Sequence, residues 1–335
     1  MSSSNDNPMS DPDNFIDSVA YEITAVSIGC LAVMTNVAVM MLICARKRLH
    51  NSSNLILCSK FFAGALFGGL YVIPTFGFPQ IQTFFPFCII LPLLAQSMSI
   101  NINYHISLIS YDRYCHVIYP LHSPLTPVKK SLSILLIWIA SLAAPAIVTM
   151  SVVPPGNMTA CDVNFQLDTG SQLLLKSFSA LLFFIPLGVT IIFYVRILIV
   201  IWSRKRSISA LVSNRPLILR AKRKTRAITH ILMIIGIFSF CWSPYIISSF
   251  INGWLNEDVF YYVYGISILL IFIYATVNPL VYLFNTQSLR IEMVEVICIF
   301  KSKFLNHNHN SWQETSFHST APVAARTWSL WSTTV

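Results

Sequence analysis

Phe87-Cys88-Ile89-Ile90-Leu91-Pro92-Leu93-Leu94-Ala95-Gln96-Ser97-Met98-Ser99-Ile100-Asn101-Ile102-Asn103-Tyr104-His105-Ile106-Ser107-Leu108-Ile109-Ser110 contains no Asp, Glu, Lys or Arg, and Tyr111-Asp112-Arg113-Tyr114 follows at once. About 24 uncharged residues, at ~1.5 Å rise each in a helix, cross a hydrocarbon layer of ~30 Å. An acid and a guanidinium side by side at the end of such a run are costly unless paired or facing a cavity, so they mark function. Ala95 precedes Arg113 by about five helical turns. The two share one face near opposite membrane surfaces, and one helix can touch an outer ligand and an inner partner.

The rest of the chain repeats this pattern. Of 335 residues, 55% are hydrophobic and 10% charged, against about 25% charged in soluble domains. The net charge of +9 raises nucleic acid as a partner. Its basic residues sit in short segments between apolar runs, which excludes that reading. Seven spans emerge, roughly Tyr21–Cys44, Asn54–Phe76, Phe84–Ile118, Ser131–Val153, Gln172–Trp202, Lys224–Ile251 and Val259–Phe284. The fold class is an all-α membrane protein, a seven-transmembrane helix bundle.

Lys and Arg set the expected orientation. Arg46, Lys47 and Arg48 follow the first span, Lys129 and Lys130 precede the fourth, and a dense basic run from Arg204 to Arg226 joins the fifth and sixth. Acids dominate the other side, where Lys176 is the one base. The N-terminus is therefore expected outside the cell and the C-terminus in the cytoplasm of a multi-pass plasma-membrane protein. The first 20 residues carry Asp6, Asp11, Asp13 and Asp17 and no base, so no cleavable signal peptide is expected and the first span is expected to serve as its own insertion signal.

The domain order predicted is an outer tail over 1–20, the bundle over 21–285, a short amphipathic eighth helix over 286–301 and a disordered cytoplasmic tail over 302–335. In the eighth helix Leu289, Ile291, Val294, Ile297 and Phe300 interleave with charges, as in helices that lie in the membrane interface. Cys298 on it is a palmitoylation candidate. Cys30, Cys44, Cys58, Cys115 and Cys241 read as small buried apolar residues. No Cys/His cluster has metal-ligand spacing.

One marker per span now accumulates: Asn36 in the first, Asp112-Arg113-Tyr114 closing the third, Trp138 in the fourth, Pro186 and Tyr194 in the fifth, Phe238 and Cys241-Trp242-Ser243-Pro244 in the sixth, and Asn278-Pro279-Leu280-Val281-Tyr282 in the seventh. Over about residues 21–300 the chain resembles the class A, rhodopsin-like G-protein-coupled receptors. That resemblance implies a receptor with an extracellular ligand, a heterotrimeric G protein and arrestin as partners, no enzymatic activity and no cofactor.

It also implies roles. Cys88 and Cys161 would form the disulfide that ties the third helix to the second outer loop, a bond typically worth ~2–4 kcal/mol. Pro186, Pro244 and Pro279 each remove an intrahelical hydrogen bond and let half a helix swing. Trp242 alone would read as a core aromatic; with Phe238 below it and Pro244 beside it, it reads as a ligand-driven switch. Asp112 is expected to pair with Arg113 at rest, and Tyr194 and Tyr282 to bond Arg113 once the sixth helix moves out. The pocket is expected to be lined by Ala95, Gln96, Ser99, Phe178, Trp242, Tyr245, Ser249, Tyr264 and Ile268. Ala95 stands where aminergic receptors carry an Asp, so a monoamine ligand is not expected. A neutral small molecule, a lipid or a peptide end suits this lining. Lys176 either meets an anionic group or snorkels outward.

Three departures from the family stand out. Gly64 occupies the second-helix position of a sodium-binding Asp, with Ile102 and Tyr274 at neighbouring positions, so no sodium site is expected. Lys60, a turn nearer the cytoplasm, either snorkels to the inner surface or donates to Asn278 or Tyr282. Lys224 stands where many relatives have an acid facing Arg113, which predicts raised basal activity. Two peripheral motifs complete the reading. Asn157-Met158-Thr159 is a glycosylation acceptor on the outer side. The terminal Thr333-Thr334-Val335 matches ligands of PDZ domains, which pair a peptide backbone with a sheet edge and bury Val335. A transporter or channel would show inverted repeats and several intramembrane charge pairs, and no repeat is found. A receptor relative that no longer signals is the remaining alternative.

Overall fold

The computed structural model describes residues 19–84, 86–119, 124–152, 168–209, 233, 236–251 and 256–316. The described regular elements are all helical: α1 Val19–Ala45, α2 Ser52–Gly77, α3 Phe87–Ile118, α4 Pro127–Val152, α5 Thr169–Ser209, α6 Gly236–Ile251, α7 Glu257–Asn285 and α8 Gln287–Ser316. Helices α1 to α5 and α7 are long and apolar enough to cross a membrane, and α6 is a shorter apolar helix within the described residues. The expectations placed on Cys161, Asn157, Lys224, Thr333 and Val335 lie outside the described residues.

The side-chain distribution is that of a bundle solvated by lipid. Leu132, Leu135, Leu136 and Ile139 point outward from α4 and are more than half exposed. Asn101, Asn103, His105, Ser110 and Asp112 of α3 are buried. With lipid outside, apolar burial no longer drives helix association, and polar contacts between helices help fix the arrangement. Tyr21 Oη of α1 donates to Gly265 O of α7 (3.1 Å), and Asn36 Nδ2 donates to Ala275 O (3.0 Å). Asn101 Nδ2 of α3 donates to Ser141 Oγ of α4 (2.9 Å). Ser59 Oγ of α2 meets Trp138 Nε1 of α4 at 2.8 Å and His105 Nε2 of α3 at 2.9 Å, so one hydroxyl joins three helices. Around Pro186 of α5, Asn103 donates to Phe183 O (3.0 Å) and Ser107 to Pro186 O (2.8 Å). Side chains of α3 thereby occupy carbonyls in the segment that the proline disturbs.

Helix α2 opens on Asn51, whose side chain accepts from Asn54 N (2.8 Å) as an N-cap. Its middle, Phe67–Val72, widens to π geometry just ahead of Pro74. A proline ring crowds the carbonyl four residues back, and the wider turn absorbs that crowding. Two glycines set the approach to α1. A Cβ on Gly68 would lie 2.9 Å from Gly29 O, and one on Gly64 would lie 2.5 Å from Asn36 Oδ1. Asn36 is buried and pinned by two hydrogen bonds, to Ala32 O and Ala275 O. Gly64→Ala is therefore expected to lower stability by about 1–3 kcal/mol, read as a fall in thermal midpoint of the purified protein; an unchanged midpoint would show that Asn36 moves aside freely.

Residues through Arg290 form one compact unit and residues from Ile291 a second. In the second, Ile291, Val294 and Ile297 make an exposed apolar stripe and Cys298 is exposed. Helix α8 runs on to Ser316, which corrects the expected stop at Lys301 and the expectation of disorder for 302–316. The reason is compositional: no Gly or Pro occurs before Pro322 to break the helix.

Candidate functional site

At one end of the bundle a cavity of about 560 Å³ opens between α2, α3, α4, α5, α6 and α7. Eight of the nine pocket residues expected from sequence line it: Ala95, Gln96 and Ser99 from α3, Trp242, Tyr245 and Ser249 from α6, and Tyr264 and Ile268 from α7. Phe178 does not. Helix α5 faces the cavity through Leu175, Lys176, Ser179, Ala180, Leu182 and Phe183; at about 100° per residue, position 178 turns off that stripe. Lys176 is on the wall, so it does not simply snorkel outward. Cys88, in the first turn of α3, is half-buried and lines the rim.

The floor is aromatic. Trp242 lies 5.8 Å from Phe238 and 5.7 Å from Phe183, ring centre to ring centre. Phe183 stacks on Phe238 at 5.1 Å, and Phe238 meets Tyr274 of α7 edge-on at 5.2 Å. Pressure on the indole therefore reaches α5 and α7 through rings already in contact. This is the physical content of the switch expected of Trp242, Phe238 and Pro244.

Below this layer sits a buried ammonium. Lys60 of α2 is 1% exposed. Its Nζ donates to Asn278 Oδ1 at 3.0 Å and lies 4.1 Å from the centre of the Tyr282 ring. Of the two readings open from sequence, inward donation is the one the structure takes. The same region tests the sodium site. Gly64 supplies no carboxylate, a side chain there would strike Asn36, and Tyr274 fills the neighbouring space with a large ring. These residues do not fit a bound sodium ion, and Lys60 Nζ already occupies Asn278 Oδ1.

At the other end of α3 the charges pair differently from expectation. Asp112 is buried, with Lys130 Nζ of α4 2.6 Å from its Oδ1 and His116 Nδ1 at 3.5 Å. Lys130 is itself buried and donates to Ser52 Oγ (3.1 Å) and Ser53 Oγ (3.0 Å) of α2. Among the described residues no ion pair joins Asp112 to Arg113. Consecutive helical residues point about 100° apart, so Asp112 faces α2 and α4 while Arg113 faces elsewhere. Tyr194 and Tyr282 are buried. Tyr194 and Ile197 pack against Tyr114 and Val117. Lys130, with Ser52 and Ser53 behind it, is the partner of Asp112 that sequence reasoning missed. The signal available was weak: two lysines at the mouth of a span, which the inner-loop charge count absorbs.

The family model described as 7 transmembrane receptor (rhodopsin family) matches residues 35–282. The chain is 25% identical over 329 residues to the histamine H2 receptor of Homo sapiens, covering 93% of this chain and 88% of that one. It is 28% identical over 274 residues to trace amine-associated receptor 5 of Homo sapiens (78% and 79% covered). It is 24% identical over 241 residues to the substance-K receptor of Bos taurus (69% and 61% covered). The family match spans α1 through the Asn278-Pro279 segment of α7, and on it this chain belongs to the rhodopsin family of seven-transmembrane G-protein-coupled receptors.

Proposed function

We propose that the receptor binds an extracellular ligand other than a monoamine in the cavity above Trp242, and that the resulting movement of α6 opens the Arg113 end to a heterotrimeric G protein. The observation that carries this is that, among the described residues lining the cavity, none is Asp or Glu. A protonated amine buried there would lack a counter-ion, at a cost of several kcal/mol. The names of two relatives point to amines; Ala95 argues against carrying that over. Ligand binding selects between two arrangements of the bundle. On this reading the rings from Trp242 to Tyr274 couple the cavity to α7, and the buried Tyr194 and Tyr282 bond Arg113 once α6 has moved out.

The orientation that goes with this reading has the cavity outside, α8 at the inner interface with Cys298 available for palmitoylation, and arrestin and PDZ proteins meeting the cytoplasmic side. Glycosylation at Asn157 belongs to the outer side. The test is a panel of G-protein activation sensors in cells, first without ligand, then with histamine and other monoamines, then with lipid and peptide libraries. Basal activation, raised by Lys224, and silence to monoamines are expected. A nanomolar response to an amine would overturn the ligand reading, and silence of every sensor under all conditions the coupling.

The pairing of Cys88 with Cys161 has its own check. Cys88→Ala and Cys161→Ala are expected to lower surface expression or ligand binding to similar extents, and the double change to add little. Clearly additive losses would mean that they are not partners.

A further inference from the structure

We propose that the cavity takes an anionic amphiphile: a carboxylate seated against Lys176, with an apolar body running down to Trp242. This rests on the receptor reading and narrows its ligand class. Two sets of polar groups in the wall stand out, beside the hydroxyls of Tyr71, Ser99, Thr149, Tyr245 and Tyr264. One set is spent on the protein itself. Gln96 Nε2 donates to Ser179 Oγ at 2.6 Å, Asn103 Nδ2 to Phe183 O at 3.0 Å, and Ser249 Oγ to Tyr245 O at 2.8 Å.

The other set is donor-only and unspent. Trp242 Nε1 is buried with no hydrogen-bond partner. An ammonium and an indole N–H can donate and cannot accept. Among the described residues Lys176 has no hydrogen-bond or ion-pair partner, although it lies on the wall about two turns into α5. Among the described residues lining the cavity there is no carboxylate, and Lys176 is the one permanently charged side chain. A ligand that completes the Lys176 end of this site brings an acceptor with a negative charge.

Much of the rest of the wall is apolar. Leu93, Ile246, Ile268, Ile271 and Phe272 offer no hydrogen-bonding side chain. A cavity of about 560 Å³ is in the size range of ligand pockets that enclose most of a small molecule. An acid with an alkyl or arylalkyl body matches one charged end and one greasy channel. The alcohol of the same shape loses the charge-assisted hydrogen bond, and the amine meets Lys176 as a like charge.

The experiment uses the full chain in phosphatidylcholine nanodiscs, with empty discs measured in parallel to subtract partition into lipid. The probes are dodecanoate, dodecan-1-ol and dodecylamine, with 4-phenylbutanoate and 4-phenylbutan-1-ol as a second body shape. Equilibrium binding is measured for the native chain, Lys176→Arg and Lys176→Gln, each checked for monodispersity. At least one acid is expected to bind tenfold or more tighter than its alcohol, with the amine weakest. Lys176→Arg should keep that preference and Lys176→Gln should abolish it. Equal binding of acid and alcohol for both body shapes overturns the proposal. So does an acid preference that survives Lys176→Gln. A G-protein sensor run beside it separates the two levels. Acids that bind through Lys176 without activating any G protein support the site and sink the signalling reading. Robust basal signalling without acid preference sinks the site alone.

Discussion

Replacing Lys130 with Met is expected to destabilise the receptor by about 3–5 kcal/mol, the usual cost of removing one partner from a buried ion pair. The loss comes mainly from what stays behind. Asp112 is 1% exposed, and its close cation is the Lys130 ammonium at 2.6 Å. Ser52 and Ser53 lose their donor in the same change. The double change Lys130→Met with Asp112→Asn removes both charges and should recover a large part of the loss. Thermal unfolding of the purified variants measures this. If the single change leaves the midpoint within a degree of the native chain, the pair does not anchor α4 to α3. A signalling effect accompanies it. With Lys130 in place, the Asp112 charge is neutralised on the α2/α4 side, and Arg113 is not tied to it. Without Lys130 that carboxylate is unbalanced next to Arg113, and ligand-free G-protein activation should fall.

The second large effect concerns Lys60. Lys60→Ala should cost about 2–5 kcal/mol, the range for truncating a long side chain in a packed interior. Its Nζ contacts Asn278 and the Tyr282 ring. Lys60→Met keeps most of the volume and removes only the charge and the donor. It loses the bond to Asn278 and the cation–π contact, and it also escapes the cost of a buried ammonium, so its net change should be much smaller. The contrast separates packing from charge; equal losses for Ala and Met would show that the ammonium is what matters. In the native chain, exchanging sodium for potassium at constant ionic strength should leave basal signalling and ligand affinity unchanged. A sodium-specific shift would disprove the view that Lys60 and Gly64 have replaced the ion.

The seven spans were legible because a run of about 20 apolar residues is a strong signal in itself. The cavity was legible nearly residue by residue, since motif positions fix the phase of each helix. Phe178 shows the limit: an error of one step in phase turns a residue away from the site. What stayed hidden was partner choice. Lys130 looks like an inner-surface lysine because a charge count weighs loops and cannot see that Asp112 lies buried opposite it. Lys60 could be narrowed to two destinations, and only the packing of α2 against α7 decides between them. Helix α8 overran its expected end because the apolar period stops at Phe300 while nothing that breaks a helix follows until Pro322.

Ser59 sets a direction that distances alone do not state. His105 Nδ1 lies 2.8 Å from Asn101 O, a carbonyl that can only accept, so that nitrogen carries the hydrogen. In the neutral ring Nε2 is then bare and accepts from Ser59 Oγ at 2.9 Å. The Trp138 indole can only donate, and it donates to the same Ser59 oxygen at 2.8 Å. The tautomer of His105 and the rotor of Ser59 are therefore both determined. The chain of protons runs one way, from α4 through α2 into α3, and ends on the α3 backbone. Exchange of Ser59 for Ala would leave an indole donor and an imidazole acceptor with no group to connect them.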